Sequence, residues 1–218
     1  MYKTFLFDLD GTLLDTTEGV LKAVTKTIQK LNLPFPKNEI LQDFVGPPMQ
    51  ESFIKHFLVD SQTALEYANL FRIIYKDSLY EAKLYNGISE LLKELKRKKF
   101  QIAVATNKSH ENAMSILDKF NILSLCDFAM GSDLEGKLKK EDIINTCIKQ
   151  LCADKKSTLL IGDSIADSNG ALRAGIDFIA VIYGFGFKSQ AELKNIKHLT
   201  SCGSVKELKN YLLNKKDY

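Results

Sequence analysis

No run of apolar residues in the sequence approaches the roughly 20 needed to span a bilayer, and Asp8 interrupts the N-terminal apolar segment before it reaches the length of a signal-peptide core. A membrane partner is therefore not expected, and a cytoplasmic location is. Cysteine is scarce. The four, Cys126, Cys147, Cys152 and Cys202, show neither C-x-x-C nor Cys/His ligand spacing, which argues against zinc and for four reduced, mostly buried thiols. Neither sign of charge dominates, because 30 Lys+Arg against 27 Asp+Glu leave only +3. The lysines are scattered apart from Lys96-Arg97-Lys98-Lys99 and Lys215-Lys216, and the first cluster ends a predicted helix, where cations suit the macrodipole. A nucleic-acid polymer is not the expected partner. Repeats and low-complexity segments are also missing, and 45% hydrophobic with 26% charged residues is the composition of an ordinary globule. A length of 218 residues suits one domain, or one domain plus an insert.

Against that plain background one stretch stands out, Phe5 to Thr16, reading FLFDLDGTLLDT. Phe5-Leu6-Phe7 is too continuously apolar for a strand with one wet face and reads as a buried strand of a parallel sheet. Asp8 and Asp10 follow two apart, so on extended backbone their carboxylates point the same way, and Gly11-Thr12 then turns the chain. An Asx-type turn with solvated acids would use the same residues. Two like charges at an apolar strand end otherwise call for a cation or a reaction that uses them.

After Thr16 the pattern is helical. Val20, Val24, Ile28 and Leu31 recur at helical spacing, and Pro34 and Pro36 stop that helix. Asn38 can cap a short helix through Phe44, Gly46-Pro47-Pro48 forms a loop, and Met49, Phe53, Ile54 and Phe57 make another stripe. Ser61 can cap a longer helix carrying Leu65, Ala68, Ile74 and Leu79. From Thr17 to about Tyr80 no strand is evident. From Asn86-Gly87 onward strands and helices alternate: a helix with Ile88, Leu91, Leu92 and Leu95, a strand Gln101–Ala105 ending at Thr106-Asn107-Lys108, and a helix from Ser109. A short strand near Phe128–Met130, a helix around Ile143–Ile148, a strand Thr158–Ile161 ending in Gly162-Asp163, and a strand Ile176–Ile182 follow. The expected fold is α/β, a Rossmann-like doubly wound parallel sheet of residues 1–15 and 82–218, with an inserted all-helical cap of residues 16–81.

In such sheets ligands sit outside the carboxyl ends of the strands, at the switch point, and that rule gathers Asp8, Asp10, Thr106, Asn107, Asp163 and Asp167 at one edge. Asp163 and Asp167 lie four apart in Gly-Asp-Ser-Ile-Ala-Asp and face one way if Ser164 begins a helical turn, although Asp163 can equally serve as a helix cap. With Asp8, three carboxylates can bind one hard cation such as Mg²⁺. Thr106 or Ser109 can cap the next helix, or the Thr106 hydroxyl can face a phosphate at a helix N-terminus. Lys137, Lys139 and Lys140 compete as a further site lysine. Lys140 opens the Ile143–Ile148 helix, where a cation opposes the dipole unless an anion partners it.

Taken together, Asp-Leu-Asp-Gly-Thr-Leu-Leu-Asp-Thr after an apolar strand, Thr106-Asn107, the lysine stretch and Gly162-Asp163 to Asp167 resemble, in order, the four motifs of the haloacid dehalogenase superfamily. The stretch from Gly131-Ser132-Asp133 through Lys140-Glu141-Asp142-Ile143-Ile144 is similar to its phosphoglycolate-phosphatase-like and 5'-nucleotidase-like branch, which selects Lys140 over Lys137. The resemblance implies a phosphatase that passes through an aspartyl-phosphate. Asp8 would attack phosphorus, and Asp10 would protonate the leaving oxygen and then deprotonate water. Mg²⁺ would be held by Asp8, the Asp10 carbonyl and Asp163. Thr106, Asn107 and Lys140 would hold phosphoryl oxygens, and Asp167 would fix Lys140 or the metal. Asp10, to donate a proton, would need neighbouring anions and desolvation.

A phosphomutase shares these motifs and differs in the acceptor; a pyrophosphatase, a haloalkanoic-acid dehalogenase and a signalling receiver module are weaker rivals. The expected partner is a small phosphorylated metabolite, such as phosphoglycolate, a nucleoside monophosphate or pyrophosphate, acted on by a monomer. Substrate choice would fall to the cap, with Gly46 and Arg72 as candidates, and the Tyr183-Gly184-Phe185-Gly186-Phe187 loop could line the mouth or simply pack.

Overall fold

The run Thr4–Phe7 forms strand β1, and all four of its residues are hidden from solvent. A computed structural model of the chain describes residues 2–133 and 137–214. The Lys215-Lys216 pair and the Leu134-Glu135-Gly136 portion of the lysine motif lie outside the described residues. After β1 come β2 (Leu14–Asp15), α1 (Thr17–Lys30), α2 (Asn38–Gln42), α3 (Met49–Phe57) and α4 (Ser61–Tyr75). Then follow β3 (Lys83–Leu84), α5 (Ile88–Arg97), β4 (Gln101–Ser109), α6 (His110–Lys119), β5 (Phe128–Ser132) and α7 (Lys140–Gln150). The chain continues through β6 (Thr158–Gly162), α8 (Ile165–Ala174), β7 (Asp177–Val181), β8 (Thr200–Cys202) and α9 (Val205–Asn214).

Six strands form one parallel sheet in the order β5-β4-β1-β6-β7-β8, so β1 is central, with β4 and β6 as its neighbours. The register places Phe7 opposite Val104 on one side and Ile161 on the other, so β1 and β6 end nearly together while β4 runs on to Ser109. From β1 the chain winds outward through β4 and β5, then returns to β6 and winds the other way. The reversal therefore occurs beside β1, and the crevice of such a sheet opens there. Both faces are covered. Ile143, Ile144 and Cys147 of α7 and Ala171 and Ala174 of α8 pack with Leu6, Ala103, Leu160 and Phe178, which explains the unbroken apolar strands. On α5, Ile88, Leu91, Leu92 and Leu95 are all buried, and the basic cluster that ends this helix is partly paired, Lys96 with Asp127 and Arg97 with Glu94.

The chain divides into two units, Met1–Asp15 with Leu84–Tyr218, and Thr16–Lys83. The second is helical. Its α4 packs on α1 and α3, and Phe44, Phe53, Phe57 and Tyr67 form an aromatic cluster within it. Val20, Val24 and Ile28 are buried as the periodicity of α1 requires. No helix among the described residues is long and apolar enough to cross a membrane.

Several local expectations change. The cap of α4 is Asp60 rather than Ser61: its carboxylate accepts from the N–H groups of Gln62 and Thr63. A carboxylate satisfies two orphan amides at once, and Ser61 becomes the first helical residue. The helix also stops at Tyr75, so Leu79 lies beyond it. Lys37, not Asn38, precedes α2, and that helix ends at Gln42. Ser109 precedes α6 without a side-chain cap bond, and Thr106 bonds locally instead, its hydroxyl accepting from the Lys108 N–H at 3.1 Å. Strand β8 and helix α9 were not anticipated, because three strand residues and a short amphipathic run carry little pattern of their own. Of the four thiols only Cys147 and Cys202 are buried; Cys126 is half-buried and Cys152 exposed.

Candidate active site

Asp8 leaves the end of β1 with its backbone N–H donating to the Ile161 carbonyl at 2.8 Å, so it stays within the sheet's hydrogen-bond frame. The residue is 7% exposed. Lys140, 5% exposed at the first turn of α7, reaches it with Nζ 2.6 Å from Asp8 Oδ1. The same ammonium lies 2.6 Å from Oδ1 of Asp167 on α8. Lys140 can reach because Gly170 leaves room for its stem: a Cβ at that position would lie 2.5 Å from Lys140 Cγ. The cation that opposes the α7 dipole thus has two anions for partners. Lys137 is placed differently, with its backbone N–H donating to Asp133 Oδ2 at 3.2 Å.

Asp167 is fixed by a capping box. Ser164 donates to Asp167 Oδ2 from both its N–H (3.1 Å) and its hydroxyl (2.6 Å), while the Ser164 hydroxyl accepts from the Asp167 N–H. Helix capping at α8 therefore falls to Ser164 and Asp167 and leaves Asp163 to another task. Asp163, 1% exposed, accepts at Oδ2 from the N–H groups of Phe185 (3.1 Å) and Gly186 (2.8 Å). Oxygen atoms of Asp8, Asp163 and Asp167 all lie within 4.8 Å of one another.

Electrostatically the cluster holds three buried acids against one ammonium. Burial first, and then the charge of Asp167, holds the Asp8 carboxyl well above the ordinary carboxylate range, with Lys140 opposing. Burial and Asp167 push Asp163 up to about 7, against the pull of the Gly186 and Phe185 amides and of Lys140. Burial disfavours the charge on Lys140, but the anions of Asp167 and Asp8 outweigh it and hold the ammonium more firmly than usual. The cluster is short of positive charge and offers oxygen donors only. That donor set fits a hard divalent cation.

Asp10 sits apart from this cluster of three. Lys108 Nζ lies 3.0 Å from both of its carboxylate oxygens. Asp10 is therefore paired with an ammonium, and Lys108 is the residue that the sequence reading missed. Its signal was present, since a lysine two residues after Thr106 at a strand end points to the same sheet edge. Thr106 is buried at this edge, whereas Asn107 is exposed. Gly46 and Arg72 belong to the helical unit. Gly46 has φ 110°, a left-handed conformation open to glycine, and Arg72 donates to Asn69 Oδ1 at 2.6 Å. The Tyr183–Phe187 turn is half-buried, with Phe187 fully covered. The Tyr183 hydroxyl donates to the Thr12 carbonyl at 3.0 Å, and its ring meets that of Tyr85 edge-on at 5.0 Å.

With an acid pair at the end of the central strand and a lysine joining β1 to α8, comparison with known proteins becomes decisive. Residues 5–181 match the haloacid dehalogenase-like hydrolase family. The chain belongs to the haloacid dehalogenase-like hydrolases. It is 33% identical to a 5'-nucleotidase of Pseudomonas aeruginosa over 97% of this chain and 96% of that one. It is 30% identical to a phosphoglycolate phosphatase of Aquifex aeolicus, covering 84% and 86% of the two chains. Among solved structures, a predicted phosphatase from Clostridium acetobutylicum superposes with a TM-score of 0.91 at 37% identity, covering 98% and 99%. As a member of this hydrolase family with such relatives, the chain is a phosphatase.

Proposed function

We propose that the protein is a Mg²⁺-dependent phosphatase that frees orthophosphate from a small phosphorylated metabolite by way of an aspartyl-phosphate on Asp8. One observation carries this reading: the Lys140 ammonium bridges Asp8 and Asp167 at 2.6 Å each, with Asp163 alongside at the end of the neighbouring strand. Asp8 and Asp163, with the Asp10 carbonyl, would hold the metal. Bound there, Mg²⁺ would neutralise the phosphate dianion and the anions that receive it.

Asp8, whose charge Lys140 and a bound cation would favour against its burial, would attack phosphorus as the carboxylate, forming a P–O bond as the ester P–O bond breaks. The leaving oxygen takes a proton from Asp10. Asp10 then draws a proton from water as that water attacks the phosphorus of the acyl phosphate, which returns Asp8 as a carboxylate and releases orthophosphate. Lys140 would pair with the negative oxygens that gather charge during both transfers, and such preorganised charge is usually the largest catalytic contribution. Asp167 holds Lys140 in position for that role. Thr106 would offer its hydroxyl to the same oxygens. The helical unit is proposed to act as the cap, with Gly46 and Arg72 as candidates for substrate contact, on a monomeric cytoplasmic enzyme.

Similarity over nearly the whole chain to a 5'-nucleotidase supports placing nucleoside monophosphates first among substrates, followed by phosphoglycolate and pyrophosphate. The test is orthophosphate release across a panel of phosphorylated metabolites, with Mg²⁺ and with EDTA, for the native chain, Asp8→Asn and Asp10→Asn. Release that needs Mg²⁺ and both aspartates supports the reading. Absence of release from every ester, or undiminished release by Asp8→Asn, overturns it.

A further inference from the structure

The Asp163 carboxylate is held in an unusual way. Two backbone amides of one short turn donate to it, Phe185 N–H at 3.1 Å and Gly186 N–H at 2.8 Å, and both go to the same oxygen, Oδ2. The next amide, Phe187 N–H, donates to the Asp163 backbone carbonyl at 2.6 Å. Three successive amides therefore grip one residue. The turn is tied down again on its other side, where the Tyr183 hydroxyl donates to the Thr12 carbonyl, four residues beyond Asp8.

Such an approach is possible only without side chains. A Cβ on Gly184 would lie 2.2 Å from the Gly11 carbonyl oxygen and 2.5 Å from Asp163 Oδ2. A Cβ on Gly186 would lie 2.3 Å from the Asp163 carbonyl oxygen. Neither glycine is needed for its dihedral, since neither has a positive φ. Their requirement is the space that the Asp163 main chain and carboxylate fill. An oxygen that already accepts two N–H bonds has its lone pairs engaged, so the carboxylate can offer a cation only its other oxygen.

We propose that the Tyr183–Phe187 turn is a backbone clamp for the metal site. By engaging Oδ2 it fixes the rotation of the Asp163 carboxylate and presents Oδ1 to the cation as a single preorganised ligand. Gly184 and Gly186 are positioning residues that act through Asp163, in the way that hydrogen-bonded outer groups orient metal-ligating carboxylates elsewhere. The clamp rests on the metal-site reading above and goes beyond it in assigning the turn.

The test is Mg²⁺ affinity, measured by calorimetric titration of the native chain, Gly184→Ala, Gly186→Ala and, as a control, Gly203→Ala, whose added Cβ would have nothing nearer than 3.5 Å. Gly184→Ala and Gly186→Ala are expected to weaken Mg²⁺ binding at least tenfold, within the 10–100-fold usual for lost outer-shell partners, and Gly203→Ala to leave it unchanged. A second measurement needs no variant: on adding Mg²⁺ to the native chain the Phe185 and Gly186 amide proton resonances should shift, and that of Gly203 should not. Native-like affinity in both turn variants, or unmoved Phe185 and Gly186 amides on saturation, overturns the clamp and leaves the metal site standing. A native chain that binds no Mg²⁺ overturns both.

Discussion

Lys140 Nζ and Asp8 Oδ1 stand 2.6 Å apart although 132 residues separate them in the chain. The contact joins the first turn of α7 to the end of the central strand, and Asp167 on α8 completes it from a third element. A buried ammonium between two carboxylates is stable only as a set, because each member compensates the desolvation of the others.

Removing the ammonium should therefore damage both fold and chemistry. Lys140→Met is expected to abolish phosphate release and to lower the stability of the metal-free protein by about 3–5 kcal/mol, the usual cost of stripping one partner from a buried ion pair. Urea denaturation in EDTA reads the second effect. A loss of under about 1 kcal/mol would show that the acids simply take up protons and that the bridge matters little to folding.

Lys108 invites a kinetic test, since its ammonium lies 3.0 Å from both oxygens of Asp10. Lys108→Met releases the Asp10 carboxyl from the orientation that this contact fixes and should lower kcat about tenfold or more, a part of the ~10²–10⁴ that well-placed acid–base help supplies, while Mg²⁺ affinity stays as it is. Lys108→Arg, which keeps the charge and offers two parallel donors, should recover most of the loss. Equal kcat in the native and Met enzymes would show that Asp10 needs no such partner.

The cap of α4 gives a prediction with a pH sign. Bonds from the Thr63 N–H and hydroxyl, and from the Gln62 N–H, hold the Asp60 carboxyl below its ordinary value. A carboxyl lowered in the folded state stabilises above the unfolded pKa, about 3.9, and that contribution disappears as pH falls through the lower folded value. Asp60→Ala should therefore lower Tm at pH 7, and the gap between variant and native should close as the pH drops below about 4. Ser61→Ala should leave Tm unchanged. If Ser61→Ala proves the more damaging of the two, the cap has been assigned to the wrong residue.

Much of this molecule is written locally. The burial of β1, the stripe on α5, the helical character of Thr17 to Tyr80 and the alternation after Asn86 follow from side-chain periodicity within short windows, and the chain expresses them as expected. Asp8, Asp163 and Asp167 could be gathered in advance because the ends of parallel strands meet at one edge and each residue sits at such an end or in the first turn of the following helix, whereas Lys140 was selected through the family resemblance. The Asp60 cap was less legible, since Asp60 and Ser61 are adjacent and both can cap; only the hydrogen bonds actually formed separate them.

What the sequence alone determined is the order and character of the elements and the residues capable of chemistry, because backbone periodicity and residue type act over a few positions. The tertiary structure alone decided which atoms meet. Lys108 found Asp10, the amides of a glycine turn found Asp163, and a lysine that opens a helix found two carboxylates on other elements. Those pairings depend on strand order, register and the room left by missing side chains, which emerge only when distant segments pack.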